Sequence, residues 1–288
     1  MRERFYGLVR EALDRDERFA VVTAQIGNDS IGEHPRHVDV GIREQLMIGV
    51  AAGLALEGYR TVAHSYTPFL VERPYEMLKL DLGHNDLGAV LVSTGASYDA
   101  ARSGRTHQAP EDVAAVALLP GWTIHVPGHA QELESLFRRS LSGDDRVYIR
   151  MSAEENHARV DGVGFTVLRH GPPGAPLVLA VGPTLTPVLE ATAGRDVGVA
   201  YLATVRPFPH EGVRSALATG TDVVLVEPYL AGTSAAEVAA ALVDRPHRLL
   251  SLGVPNAEFR HYGSPREHRA AHGLDAAGVG RSLEGFLG

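Results

Sequence analysis

Apolar residues along this chain gather in short blocks separated by longer amphipathic stretches. Up to residue 151 the blocks are FAVVTAQIG, YRTVAHSY, LGAVLVST, GWTIHVP and RVYIRMS. Each is short enough for one strand and predicts one. Between them, REQLMIGVAAGLALEG, PYEMLKLDL, PEDVAAVALL and AQELESLFRRSL carry apolar residues three and four positions apart, the spacing of a helix face. Strand and helix therefore alternate, which predicts a mostly parallel sheet with helices on both faces.

The alternation pauses and then resumes. From Ser152 to Pro176, ending in HGPPGAP, the chain turns polar and rich in glycine and proline, as expected of a connection. After it come PLVLAVG, TPVLEATAG, VGVAYLATV, EGVRSALATG, TDVVLVEP, SAAEVAAALV and HRLLSLGVP, then a helical tail in DAAGVGRSLEGFL. The fold expected is α/β, two consecutive doubly wound domains with mostly parallel sheets: a first domain at 1–155, a linker at 156–175 and a second domain at 176–288. The halves share architecture and no motif, so no internal repeat is expected.

Composition narrows the function classes. The 288 residues carry a net charge of -8, which argues against a nucleic-acid-binding face, since phosphate binding needs clustered positive charge. The absence of cysteine removes disulfides, a cysteine nucleophile and thiolate metal sites. Lys79 is the only lysine, so Schiff-base chemistry would have to use that residue. The charged opening MRERFYGLVREALDRD has neither a signal peptide's apolar core nor a membrane span's length, and a cytoplasmic protein is expected.

Ligands of open α/β sheets bind beyond the carboxyl ends of the strands. That points to the loops GNDSIGEHPRHVDVG, SYTPF and STGASYDAARSGRTHQ, all in the first half. In the first, Glu44 begins a long apolar helix just after a glycine. An acid there is often a capping residue favoured by the helix dipole. Tyr66 and Phe69 lie in a strand-to-helix turn, where core packing is the ordinary reading. His107 follows a glycine-containing loop and is one of 14 histidines, most of which would be surface or satisfied core residues. Arg150 ends the last strand of the first half, where it is either a surface arginine or a guanidinium that forks around an oxyanion.

Taken together, the motifs carry a resemblance. GIREQ with the AAGLA helix resembles the G-I-x-E-[HQ] motif of the transketolase and deoxyxylulose-phosphate synthase superfamily. SYTPFLVERPYE is similar to its aromatic segment, SGRTHQAPED to its D-G-x-T-H-Q-x-x-E-D motif, and the C-terminal LGVPNAEFRHYGSPREHRAAHGLDAAGVGRSLEGFL to the end of these enzymes. The order is the family's, and the similarity runs over nearly the whole chain.

The resemblance implies a thiamine-diphosphate pyrimidine-binding domain followed by a transketolase C-terminal domain. It implies that Glu44 drives tautomerisation of the cofactor's aminopyrimidine, that Phe69 stacks on that ring with Tyr66 and Arg73 nearby, and that His107 binds substrate and assists proton exchange. Arg150 and Arg105 would hold substrate oxygens, with Arg102 a weaker candidate. The G-D-G motif and downstream asparagine that hold Mg2+ and the diphosphate are missing from this sequence. A separate subunit carrying the diphosphate and Mg2+ site is therefore the implied partner, in a heterotetramer.

The implied activity is that of a split transketolase, moving a two-carbon ketol unit from a ketose, phosphorylated or not, to an aldehyde. The alternatives are a deoxyxylulose-phosphate-synthase-like or 2-oxoacid dehydrogenase β-type subunit, or a non-catalytic scaffold. Departures from the pattern point to an altered pocket. Gly95 stands where many transketolases place a histidine on the sugar phosphate, and Ser103 replaces the usual aspartate.

Overall fold

The structure, a computed structural model, describes every residue from Met1 to Gly288 except Val163 and Phe259. The first unit is a seven-stranded sheet built from β1 (Phe19–Thr23), β2 (His37–Asp39), β3 (Arg60–Tyr66), β4 (Val90–Thr94), β5 (Trp122–His125) and β6 (Arg146–Arg150). Its seventh strand comes from elsewhere in the chain. The order is β10-β5-β6-β4-β3-β1-β2, parallel throughout except for β10 (Thr204–Arg206), which pairs antiparallel with β5. The five strands expected in this half all form. β1 and β4 are buried along their whole length, as strands covered on both faces must be.

The second sheet runs in the order β12-β11-β8-β9-β7. It comprises β7 (Phe165–Arg169), β8 (Leu177–Val181), β9 (Gly198–Leu202), β11 (Asp222–Leu230) and β12 (Arg248–Val254), and only β7 is antiparallel. β7 of this sheet and β10 of the first do not follow the expected boundaries. The stretch 156–175 is not a bare linker, because β7 lies inside it and pairs with β9. β10, expected in the second domain, completes the edge of the first sheet. Both are short antiparallel edge strands that lack the long apolar run of a central strand.

The two units are packed against each other. One buried cluster contains Ile124, Val126 and Tyr148 of the first unit together with Leu179, Leu202 and Tyr229 of the second. At the joint, Gly128 donates its amide to Tyr201 Oη at 2.9 Å and Asn156 Nδ2 donates to the Gly182 carbonyl at 3.0 Å. A Cβ on Gly128 would sit 2.7 Å from both the Gly182 carbonyl oxygen and Tyr201 Oη, so only glycine permits this approach.

The helix Glu44–Leu56 has no polar side. It buries Glu44, Met47, Ile48, Ala51 and Ala52 against the sheet, yet Leu46 and Leu56 on its far side are 49% and 69% exposed, next to Ile42 at 66%. A helix that is apolar all round normally lies between two layers, and here only one layer is present. Among the described residues, no helix is long and apolar enough to cross a membrane.

Candidate functional site

Glu44 owes its position to the turn before it. Gly41 takes φ +67° while Asp39 Oδ1 accepts from the amides of Gln25 and Gly41 at 2.8 and 3.1 Å. The chain reverses and Glu44 becomes the first helical residue, only 3% exposed. Its Oε1 accepts a hydrogen bond from Arg73 Nη1 at 2.9 Å, across 29 positions of sequence. The carboxyl therefore faces a neighbouring element, and this orientation disfavours the capping reading.

Phe69 and Arg73 come from the turn after β3. Residues Pro68–Glu72 form a π-helical turn, a wide coil frequent at functional sites, which carries Arg73 back over Phe69. The guanidinium stands 3.9 Å from the ring centroid of Phe69. Tyr66 and His107 complete a cluster of edge-on rings: Tyr66 to Phe69 at 6.1 Å, Tyr66 to His107 at 5.6 Å and Phe69 to His107 at 5.0 Å. All three side chains are half-buried, so the cluster is an open ledge and not core.

Gly95 accounts for the missing histidine in steric terms. It has φ +75°, and a Cβ there would come 2.6 Å from Tyr66 Cδ1. Tyr66 fills the room that a side chain at 95 would need. A second neighbour of Tyr66 was not picked out from the sequence: the Arg2 guanidinium lies 5.7 Å from its ring centroid and donates to Tyr6 Oη at 2.8 Å. Behind Tyr6, burial pushes the His64 imidazole down to about 4, so it is neutral at ordinary pH.

Arg150 and Arg105 do not join the ledge. Arg150 is 1% exposed, with Nε on Asp112 Oδ2 at 2.7 Å and Nη2 on Ser97 Oγ at 2.5 Å. It is not a surface arginine: its Nε and Nη2 are taken up by Asp112 and Ser97 inside the protein. Burial, and then the Asp112 carboxylate, push the Tyr148 phenol well above its ordinary range, so it stays protonated and donates to Asp112 at 2.6 Å. Arg105 is exposed and paired with Glu111 at 2.6 Å. Asp112 is the last residue of the SGRTHQAPED motif, a position whose role as Arg150's counter-charge no local pattern gives away.

The chain is a two-unit α/β protein, and its buried carboxylate and aromatic ledge lie at the carboxyl ends of a parallel sheet, where open α/β sheets bind ligands. Residues 5–157 match the family described as transketolase, pyrimidine binding domain, and the chain belongs to that family. It is 50% identical to an uncharacterized 33.6 kDa protein in the fasciation locus of Rhodococcoides fascians, covering 96% of this chain and 91% of the relative. It is 30% identical to a 6-deoxy-6-sulfo-D-fructose transketolase subunit of Clostridium sp., covering 98% and 92%. A 1-deoxy-D-xylulose-5-phosphate synthase of Acidovorax ebreus is 32% identical, and this chain spans 45% of it. Among solved structures, one titled as a split gene transketolase, inactive beta4 tetramer, superposes with a TM-score of 0.82 at 22% identity, over 98% of this chain and 96% of that one. The chain is thus a transketolase-type subunit with the family's two-unit fold.

Proposed function

We propose that this chain supplies the pyrimidine side of a thiamine-diphosphate-dependent transketolase whose diphosphate and Mg2+ are held by a separate subunit. The observation that carries the reading is the buried Glu44 carboxylate beside the open face of Phe69. Arg73 tests the fit: a flat group with an N–H edge bonded to Glu44 and a face on Phe69 is already accommodated there. An aminopyrimidine is also a flat group with N–H donors, and the same two residues suit it. Arg73 would have to give up this place for the ring to take it. When bound, the cofactor supplies the carbon that carries the two-carbon unit.

The chain's own residues do the rest. Glu44 holds a proton at Oε1 toward the pyrimidine edge, where burial shields it from water. Phe69 fixes the ring plane, and Tyr66 closes the ledge beside Gly95. His107, an imidazole at the ledge's rim, exchanges protons with substrate hydroxyls. Arg2, beside Tyr66, is better placed than Arg150 or Arg105 to meet an anionic group on a ketose donor or aldehyde acceptor. The exposed apolar side of the helix Glu44–Leu56 suits burial in an assembly, and a heterotetramer with two copies of each chain, in the cytoplasm, is the form proposed.

Two results are expected. Titrated alone in a calorimeter, the chain binds thiamine diphosphate weakly even with Mg2+, and binds it tightly once the diphosphate-binding subunit is added. Tight binding by the lone chain would contradict the divided site. In the assembled enzyme, Phe69→Ala weakens cofactor affinity roughly 2- to 12-fold, the equivalent of about 0.5 to 1.5 kcal/mol of ring stacking. An unchanged affinity removes Phe69 from the site. The activity itself is tested by assaying ketose donors against a panel of aldehydes with both subunits present.

A further inference from the structure

The loop that carries His107 is closed at its base and fastened to the second unit. Its 3-10 turn, Ala101–His107, lies between Ser97 and Ala109, which are joined by a bridge in which the Ala109 amide donates to the Ser97 carbonyl at 3.2 Å. Arg150 grips both sides of this closure, with Nη2 on Ser97 Oγ at the entrance and Nε on Asp112 just beyond the exit.

Three consecutive residues of β11 hold the same two ends from the other side. The Pro228 carbonyl accepts from Ser97 Oγ at 2.5 Å, and the Leu230 amide donates to the Pro110 carbonyl at 2.8 Å. Between them the Tyr229 ring lies 5.4 Å from the Arg150 guanidinium. At the loop's tip, Gly104 takes φ +68°, and a Cβ there would be 2.6 Å from Tyr262 Cε1, so a second segment of the C-terminal unit rests on the turn.

Ser97 has φ +46°, a conformation that a serine keeps only when its surroundings over-determine it. Here its hydroxyl is held from two sides.

We propose that Ser97 and Arg150 are positioning residues that lock the His107 loop to β11, so that the second unit determines where His107 stands on the aromatic ledge. The significance for catalysis rests on the proposed role of His107; the clamp itself does not. Arg150 then acts through the loop and never touches substrate, and the second unit has a part in the site although none of the ledge residues belong to it.

The test uses the full chain and needs no activity. Arg102 and Arg105 are exposed within the loop and are trypsin sites. The His107 ring signal is found among the 14 histidines by its loss in His107→Asn. Ser97→Ala removes both hydroxyl bonds and leaves the Arg150–Asp112 pair. It is expected to speed native-state cleavage after Arg102 and Arg105 on the order of tenfold and to shift the His107 ring signal, while cleavage after arginines outside the loop rises less. Arg150→Lys keeps a cation beside Asp112, loses the fork to Ser97, and is expected to give the same cleavage pattern.

Wild-type cleavage and an unmoved His107 signal in both variants overturn the clamp. So does cleavage that rises equally throughout the chain in step with a lower denaturation midpoint, because a clamp acts first on the loop. With the partner subunit present, loss in Ser97→Ala is expected in kcat/KM. If the loop loosens while kcat/KM holds, the clamp stands and the role given to His107 fails.

Discussion

Glu44→Gln is expected to cut turnover of the assembled enzyme by roughly 10²- to 10⁴-fold, the range that general acid–base groups contribute, while subunit assembly is retained. Glutamine keeps the volume and an oxygen that can accept from Arg73, so the interaction at 2.9 Å has a substitute. What it lacks is a carboxyl that can hold and share a proton. Gel filtration with the partner subunit and a ketol-transfer assay on the same sample separate the two effects. Wild-type turnover in this variant would remove the proposed role of Glu44, and failure to assemble would show that the residue serves the interface instead.

Arg150→Met is expected to produce the largest loss of stability. It leaves the Asp112 carboxylate, which is fully buried, with the Tyr148 phenol and without its cation. Removing one partner of a buried ion pair costs about 3–5 kcal/mol, whereas removing both with apolar residues of similar size is often close to neutral. Urea unfolding followed by the fluorescence of Trp122, the only tryptophan, should therefore show a low midpoint for Arg150→Met. Much of it should return in Arg150→Met combined with Asp112→Leu. A single variant as stable as the parent would show that the pair contributes little.

Both experiments bear on how a split site is organised. The ledge of Tyr66, Phe69 and His107 is open on one side, and the helix that begins at Glu44 presents Leu46 and Leu56 outward, with Ile42 exposed just before it. Carboxylate and apolar face belong to one short segment, so the surface proposed for assembly and the residue proposed for chemistry are placed by the same turn at Gly41.

Much of this was written in local sequence. The spacing of apolar residues determined the central strands and long helices, because a buried parallel strand needs an unbroken apolar run and a covering helix needs an apolar stripe. Motif order singled out Glu44, Phe69 and His107, each in a segment whose turn chemistry is local, and the fold buries the first and brings the other two rings together. β7 and β10 escaped notice because a short edge strand is defined by its neighbour's free edge, not by its own residues.

Arg150 shows the limit most clearly. Its position at the end of β6 was legible; its partners were not, because Ser97, Asp112 and Tyr229 reach it from distant parts of the chain. Only the tertiary structure, which brings Ser97 and Asp112 to it within the first unit and lays Tyr229 over it from the second, decided that this guanidinium is an internal tie. Whether a charged group meets solvent, ligand or counter-charge depends on what the rest of the fold lays over it.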